Sequence, residues 1–488
     1  MEVRRAWGFL RSNPLRILIV SGLILVPCFW HKRLEAGDLP SHTYNAWLAH
    51  LIAQGQAPGL YIESRWNNIL VDLTLEKLGV WVGFLAAERI LAVISVLLFF
   101  WGAFALISAA NRRPPWHLVP AVAMITYGWT FYSGFMNFYL SLGLGFFGVV
   151  LFLRGARADW LVAAVLALLA LLAHPLGFLC IIGLAAYFRL SDLLHGWQRW
   201  GLFASAFLVV LGFHCYVKRL HGEYWHTKDF FFMNGADQLY LFQGHYVKLV
   251  GTVLVFGIIC FVFGVLWEWK GNTDQWAFRA PLELWAILLL TAAMIPEVIW
   301  FSNNPMPFAL AISRLTSVTA VLGLCVLGSV SPRVWHLVGF AACAGVFFVW
   351  SYQDTGTLND MEAQVEKMVS GLPYGRRVVE TVNSWNDSRL WFINHMVDRA
   401  CIGKCFTYAN YEPPAGQFRV RVKHGSPIVT DSVEDSVKME SGFYVVRQED
   451  LPMNEIYQCD DKDLSKLCIR ELSAGEENGR IGYRPPPL

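Results

Sequence analysis

The chain has 488 residues, of which 55% are hydrophobic and only 16% charged, whereas an ordinary soluble protein carries about 25% charged residues. That composition belongs to a membrane protein. Lys and Arg (39) nearly balance Asp and Glu (37), and a net charge of +2 excludes an electrostatic case for a nucleic-acid partner; nothing resembles a phosphate loop, a dinucleotide fingerprint or a zinc ribbon.

In chain order, the basic opening "MEVRRAWGFLRSNPLR" leads into an apolar run at 15–31 without a small-residue cleavage site. It reads as an uncleaved anchor. Runs of this kind, long enough as helices to cross a hydrocarbon core of about 30 Å, recur at 87–110, 116–131, 137–153, 159–173, 175–190, 200–217, 246–267, 281–301, 308–330 and 333–351. Helix is required because backbone amides find no other partner in lipid. About eleven spans follow, so the expected fold class is mainly α, a polytopic bundle over 1–351.

Between the runs lie two segments too long and too rich in polar aromatics to be connectors, 32–86 and 218–245. The first holds "GDLPSHTYNAWLAH" and then "GLYIESRWNNILVDLTLEKLGVW", whose apolar residues at 69, 70, 73, 75 and 78 suit a helix lying on the membrane surface. The second is "KRLHGEYWHTKDFFFMNGADQLYLFQGH". From about 352 the character changes. "DTGTLNDMEAQVEKMVSGLP" has amphipathic helical spacing, and "RRVVETV", "FTYANY", "FRVRVKH" and "GFYVVRQ" read as strands between Gly and Pro signals. A small α+β domain over 352–488 is expected.

Basic residues in short loops set orientation. With the amino terminus cytoplasmic, Arg4, Arg5, Arg11, Arg16, Arg112, Arg113, Arg154, Arg157, Arg199, Lys270, Arg279 and Arg333 fall inside, while the loops at 132–136, 174 and 302–307 carry no Lys or Arg. An odd span count then puts the carboxyl-terminal domain outside the cytoplasm, in a plasma (inner) membrane. Of ten cysteines, Cys28, Cys180, Cys215, Cys260, Cys325 and Cys343 sit in apolar runs and read as small buried hydrophobes. Cys401, Cys405, Cys459 and Cys468 lie in the domain placed outside, which suggests disulfides; a loop closed between Cys459 and Cys468 is one pairing, and zinc binding by all four is the alternative.

The polar residues of the outer segments then become candidates. Asp38 precedes Leu39 and Pro40, which suits a helix cap. His42 follows one helical turn later, so a helix starting at 38 sets both on one face, where they can share a substrate, a proton or a metal. Glu63, Arg65 and Trp66 follow in the same loop. Tyr44, Trp66, Tyr224 and Trp225 suit either stacking on sugar faces or an interfacial aromatic belt. Arg314, inside "FALAISRLTSVTAVLGL", is costly in an apolar run and calls for a partner, for which Glu297 is one choice. His174 stands alone at the outer turn "LLAHPLGFL".

A basic cytoplasmic start, one span, then an acidic residue within a dozen positions of its outer end resembles the GT-C superfamily of integral-membrane glycosyltransferases. "GDLPSHTYNAWLAHLIAQGQAPGLY" is similar to that family's first outer loop, and "AAERILAVISVLLFFWGAFALISAANRR" to its second span, with Arg89 at the family's arginine. The resemblance implies an inverting hexosyl- or pentosyltransferase using a polyprenyl-phosphate sugar, with Asp38 as base and His42 beside it. A sugar on polyprenyl phosphate has a leaving group that is a weak base, so the chemistry needs cationic help for the phosphate and a base for the acceptor hydroxyl. Arg89, Lys218, Arg219 and Arg314 are the phosphate candidates; Tyr44, Glu63, Arg65, Trp66, His174, Tyr224, Trp225 and Glu297 are the substrate candidates. Many relatives place paired acids at the catalytic position, but here Leu39 follows Asp38. That departure weakens tight metal binding and leaves a divalent Mg or Mn ion open. The implied partners are the donor lipid, membrane lipids and a glycan, lipid or protein acceptor. A noncatalytic assembly factor for cell-envelope glycans and a transporter are the rival classes; a transporter would gather acids near the bilayer midplane and show internal repeats, whereas the polar residues here gather at outer ends.

Overall fold

The structure is a computed structural model that describes residues 13–219, 223–224, 233–242, 244–268, 279–300, 308–382, 388–390, 395–460 and 462–479. Its helices in chain order are α1 (Pro14–Leu25), α2 (Leu39–Ala53), α3 (Leu70–Val82), α4 (Phe84–Asn111), α5 (Val119–Thr126), α6 (Trp129–Tyr132), α7 (Met136–Arg154), α8 (Arg157–Ala173), α9 (Pro175–Leu193), α10 (Trp197–Val217), α11 (His245–Glu268), α12 (Arg279–Met294), α13 (Ala311–Gly328), α14 (Val334–Ser370), α15 (Met396–Cys401), α16 (Glu412–Ala415) and α17 (Val433–Ser441).

Among the described residues seven of these, α4, α7, α9, α10, α11, α13 and α14, are long and apolar enough to cross a membrane. Four of the eleven expected spans differ. Helices α1, α8 and α12 have 12, 17 and 16 residues, and at 1.5 Å per residue only α8 and α12 approach the thickness of a hydrocarbon core. Helix α12 stops two residues before Pro296, whose ring disfavours helix in the residue ahead of it. The stretch expected as one span at 116–131 is broken into a 3₁₀ turn (Trp116–Leu118), α5 and α6. Its interruption falls at Tyr127 and Gly128.

The chain divides into two compact units: Met1–Pro27 with Val93–Phe131 and Met136–Ser351, and Cys28–Ala92 with Tyr132–Phe135 and Tyr352–Leu488. In the first, Phe99 stacks on Tyr139 with ring centroids 4.4 Å apart. The described part of the second outer segment, 233–242, folds into this unit, with Asp237, Gln238, Leu239, Leu241 and Phe242 fully buried. Burial obliges the amide of Gln238 to find partners. Its oxygen accepts from the backbone NH and the hydroxyl of Thr130, both at 3.0 Å, and its nitrogen donates to Ser313 O (2.9 Å) and Thr316 Oγ1 (2.7 Å).

The second unit carries α2 and α3 and an α+β body. Strand β4 (Arg377–Thr381) is central in a sheet of order β5-β4-β7-β8, parallel to β5 (Phe406–Thr407) and β7 (Met453–Gln458), with β8 (Leu467–Glu471) antiparallel to β7. Its core gathers Val379, Tyr408, Met439, Tyr444, Met453 and Leu472; full burial of an aliphatic side chain of this size stabilises by about 1.5–3 kcal/mol. The run "FRVRVKH" forms β6 (Val420–Val422), which pairs antiparallel with β1 (Leu60–Ile62) of the first outer segment. The run "GFYVVRQ" forms no ladder beyond an isolated bridge from Val445 to Glu477. The amphipathic stretch after 352 continues α14 without a break to Ser370. Cys401 is bonded to Cys405 and Cys459 to Cys468, which replaces the zinc alternative with two local disulfides.

Candidate active site

Helix α2 begins at the quoted acid. Asp38 occupies its N-cap position and Pro40 its first turn, yet the Asp38 backbone is helical (φ −69°, ψ −11°) and its side chain makes no capping hydrogen bond. The expected cap is therefore not what the carboxylate does. The chain is held here by a close crossing: Asp38 N donates to Ser133 O at 3.1 Å, and a Cβ on Gly134 (φ +77°) would collide with the backbone nitrogens of Asp38 and Leu39. The carboxylate faces His395, its Oδ1 lying 3.6 Å from His395 Nε2. On the other side of the ring, His395 Nδ1 is 2.8 Å from Asp398 Oδ2. The three side chains are buried, at 9%, 4% and 2% exposure. Because each ring nitrogen faces a carboxylate, the doubly protonated imidazolium is the form that satisfies both. Burial pulls the His395 ring down, but Asp398, then Asp38 and Glu440, outweigh it and hold the ring up at about 10.

A second imidazole sits one turn along α2. His42 Nδ1 is 3.0 Å from Oδ1 of Asp72, in the first turn of α3. Burial lowers the His42 ring, but Asp72, Glu412 and Asp38 raise it to about 9. Glu412 opens α16, where its Oε1 accepts from Ser41 Oγ at 2.9 Å. Asn410 fixes that corner, its Oδ1 accepting from Glu412 N (3.1 Å) and its Nδ2 donating to Asn45 Oδ1 (2.9 Å). Burial pushes the carboxyl of Glu412 up to about 7 against the opposing pull of His42. Glu440, in the last turn of α17, is likewise raised by burial to about 7 against His395. The site is thus a carboxylate flanked by two imidazoliums, each backed by its own aspartate.

Among the described residues no three His, Cys, Asp or Glu side chains form a group able to hold a metal ion. Asp38 meets a cationic ring where a dication would need its oxygen. Among the described residues this donor set does not fit a divalent ion.

The other sequence candidates fall as follows. Tyr44 is fully buried, its hydroxyl accepting from Thr407 N at 2.9 Å and its ring 5.4 Å from Trp47; it packs in the core. Glu63 pairs with Arg421 (2.6 Å) and Arg65 (3.6 Å), and Arg65 also donates to Gly416 O, beside the β1–β6 ladder. Trp66 is exposed at 63%. The Arg89 guanidinium donates to the carbonyls of Lys32 (2.5 Å) and His31 (3.4 Å) and lies over the Phe29 ring. In the first unit, His174 caps α9 by accepting from Leu176 N at 3.2 Å. Glu297 accepts from Ile312 N (3.0 Å) and Ser313 Oγ (2.6 Å) at the start of α13, the helix that carries Arg314. Lys218 and Arg219 follow the end of α10 and are exposed. Tyr224 belongs to the short strand β2 (Glu223–Tyr224), which pairs with β3 (Val298–Ile299), and Trp225 lies outside the described residues.

Asp38 and His42 are thus brought together with residues that sequence reasoning did not single out: Asp72, His395, Asp398, Glu412 and Glu440. Two local patterns could have marked three of them, His395, Asp398 and Glu412. His395 and Asp398 stand three apart just ahead of the Cys401–Cys405 bridge, and "NYEP" starts a helix with an acid before prolines.

The chain matches no family model and no curated protein. Solved structures similar to it include the oligosaccharyltransferase of Archaeoglobus fulgidus in the apo form, at TM-score 0.33 and 11% identity over 83% of this chain and 67% of that one. Another is the archaeal oligosaccharyltransferase AglB from A. fulgidus in complex with an inhibitory peptide and a dolichol-phosphate, at TM-score 0.33 and 12% identity over 92% and 70%. Overlap at this level does not define a family, and the functional reading rests on the chain's own residues.

Proposed function

We propose that the chain is an integral-membrane glycosyltransferase that moves a sugar from a polyprenyl-phosphate donor to an acceptor on the extracytoplasmic side, with Asp38 as general base. The observation that supports this most is that the Asp38 carboxylate sits at a helix N-cap without capping and is turned instead toward an imidazolium at 3.6 Å. A buried carboxylate that does not cap its helix and lies beside an imidazole can take the proton of a substrate hydroxyl. In the reaction the acceptor oxygen attacks the anomeric carbon from the face opposite the phosphate, Asp38 takes its proton, and the carbon–oxygen bond to phosphate breaks, inverting the centre. The departing phosphate is a weak base and needs no proton.

We infer that residues 352–488 lie outside the cytoplasm and that Arg89, Arg314, Lys218 and Arg219 supply the cationic help for the phosphate. The test is transfer of labelled sugar from a polyprenyl-phosphate donor in vesicles containing the full chain. Activity in the parent and its loss in Asp38→Asn is the expected result; no transfer by the parent from any such donor would remove the reading.

A further inference from the structure

The Asp38 carboxylate and the helix that faces it lie more than 350 residues apart in sequence, yet the short helix α15 is fixed with unusual thoroughness. Arg399 ties it to Glu362 (2.7 Å), to Glu88 (3.2 Å) and to the carbonyl of Leu34 (2.7 Å). Glu380 accepts from Val397 N at 3.2 Å. The disulfide from Cys401 to Cys405 closes the chain where the helix ends. Such anchoring aims one line of groups at α2: Asp398 Oδ2 meets His395 Nδ1 at 2.8 Å, and His395 Nε2 lies 3.6 Å from Asp38 Oδ1, an ion-pair separation longer than a hydrogen bond.

We infer that His395, backed by Asp398, is a positioning residue for Asp38, orienting the carboxylate that takes the acceptor's proton and keeping it ionised. This rests on the reading of Asp38 as the base. An orienting pair of this kind fixes a ring by bonding one nitrogen and lets the other act on the reacting group. The competing use of the same ring is as a cation for the donor phosphate. Charge decides between them: Asp38, Asp72 and Asp398 outnumber His42 and His395 by one, so the cluster offers a phosphate no net attraction, whereas the Asp38 oxygen is already in contact with the ring. The groups facing His395 are Asp38 from α2, Asp398 from its own helix, Glu440 from α17, Glu380 from β4 and, with ring centroids 5.9 Å apart, Tyr411.

The experiment measures transfer against pH for the full chain in vesicles, comparing the parent with His395→Gln, Asp398→Asn and Asp38→Asn. Removing the cation beside a carboxylate makes that carboxylate easier to protonate. In His395→Gln, the acid limb of the rate profile should move up by about one pH unit or more, and kcat should fall about 10- to 100-fold with the donor KM unchanged. Asp398→Asn loosens the ring without removing its proton at acid pH, so it should leave the acid limb in place and lower kcat about 10-fold with the donor KM unchanged; if His395→Gln does not fold, this variant decides, and a parent-like kcat in it overturns the inference. A folded His395→Gln with the parent's acid limb, or one that changes only the donor KM, overturns the inference and leaves Asp38 as base intact. An Asp38→Asn protein that transfers at the parent rate removes both.

Discussion

Two clusters of buried charge lie in the same unit, and they are built on opposite plans. One knots Arg33, Glu35, Glu88, Glu362, Glu366 and Arg399. Arg33 Nε donates to Glu366 Oε1 at 2.6 Å and Arg33 lies 3.7 Å from Glu362, while Arg399 bridges Glu362 and Glu88, and Asn359 joins Glu35 (2.7 Å) to the backbone of Arg33 (3.0 Å). Burial and the neighbouring Glu362 push the Glu35 carboxyl well above the usual range. The remaining carboxylates are matched by guanidinium groups and, at the rim, by Lys32 on Glu366 at 3.0 Å. Guanidinium does not give up its proton in a protein, so the two arginines of this cluster hold one charge state. The other cluster pairs carboxylates with imidazoles, which do exchange protons, and it retains a net negative charge at Asp38. Burial of charge therefore does not set the two clusters apart; the presence of groups that can change protonation does.

The comparison breaks first at Arg399. Replacing it by Met strands Glu88 and Glu362 in a dry interior, which costs about 3–5 kcal/mol when one partner of a buried pair is removed. Thermal unfolding of Arg399→Met in detergent should show this unit melting far below the parent; a parent-like melt would mean that the knot holds nothing together.

A smaller effect separates the clusters by pH. The folded rings of His42 and His395 are raised to about 9 and about 10, so the stability they contribute is complete below their ordinary value near 6.5 and is lost as pH rises through 9 and 10. Glu412 and Glu440, raised by burial from 4.5 to about 7, act with the same sign between those two values. Glu366 and Asp431 are held low, the first chiefly by Arg33 and the second chiefly by the backbone NH of Gly425, so their contribution disappears only in stronger acid. The melting temperature should peak near pH 4–5 and fall toward pH 10. The double variant His42→Gln, His395→Gln should flatten the alkaline part of that fall; an unchanged alkaline slope would remove the imidazoliums from the account.

The smallest effect lies outside both clusters. Lys438 and Glu434 form an i,i+4 pair at 2.6 Å on the exposed face of α17, and solvent-exposed pairs of this kind contribute little. Lys438→Ala should leave both the melt and transfer unchanged, and a measurable loss would mean that surface charge matters more in this unit than the comparison allows.

How much of this was legible in the sequence follows the range of the forces involved. Apolar runs are a local signal, and seven of the expected spans formed helices of crossing length among the described residues. The run at 116–131 did not, because hydropathy is blind to the break at Tyr127 and Gly128. Asp38 stood out for its position after the first span, and Cys459 with Cys468 for their spacing. His395, Asp398 and Glu412 were hidden because their meaning depends on contacts with α2 from the far end of the chain. Strand β7 was missed for a related reason: "MNEIYQ" places Glu455 at a fully buried position, tolerable only because Thr381 donates to it at 2.8 Å and Arg470 at 2.7 Å. Arg89 was marked for the donor phosphate and His174 and Glu297 for substrate, and each has a local partner that pattern alone does not show: carbonyls of 31 and 32, the first turn of α9 and the first turn of α13.

The most direct measurement of the central claim is the rate of sugar transfer from a polyprenyl-phosphate donor by Asp38→Asn, taken beside its thermal unfolding in the same membranes. Asn keeps the shape of the side chain and a hydrogen-bonding oxygen toward His395 but cannot take a proton. The account predicts an unfolding transition close to the parent's and a rate lower by about 10² to 10⁴, the usual worth of general-base help. A well-folded Asp38→Asn protein that transfers sugar at the parent rate would contradict it.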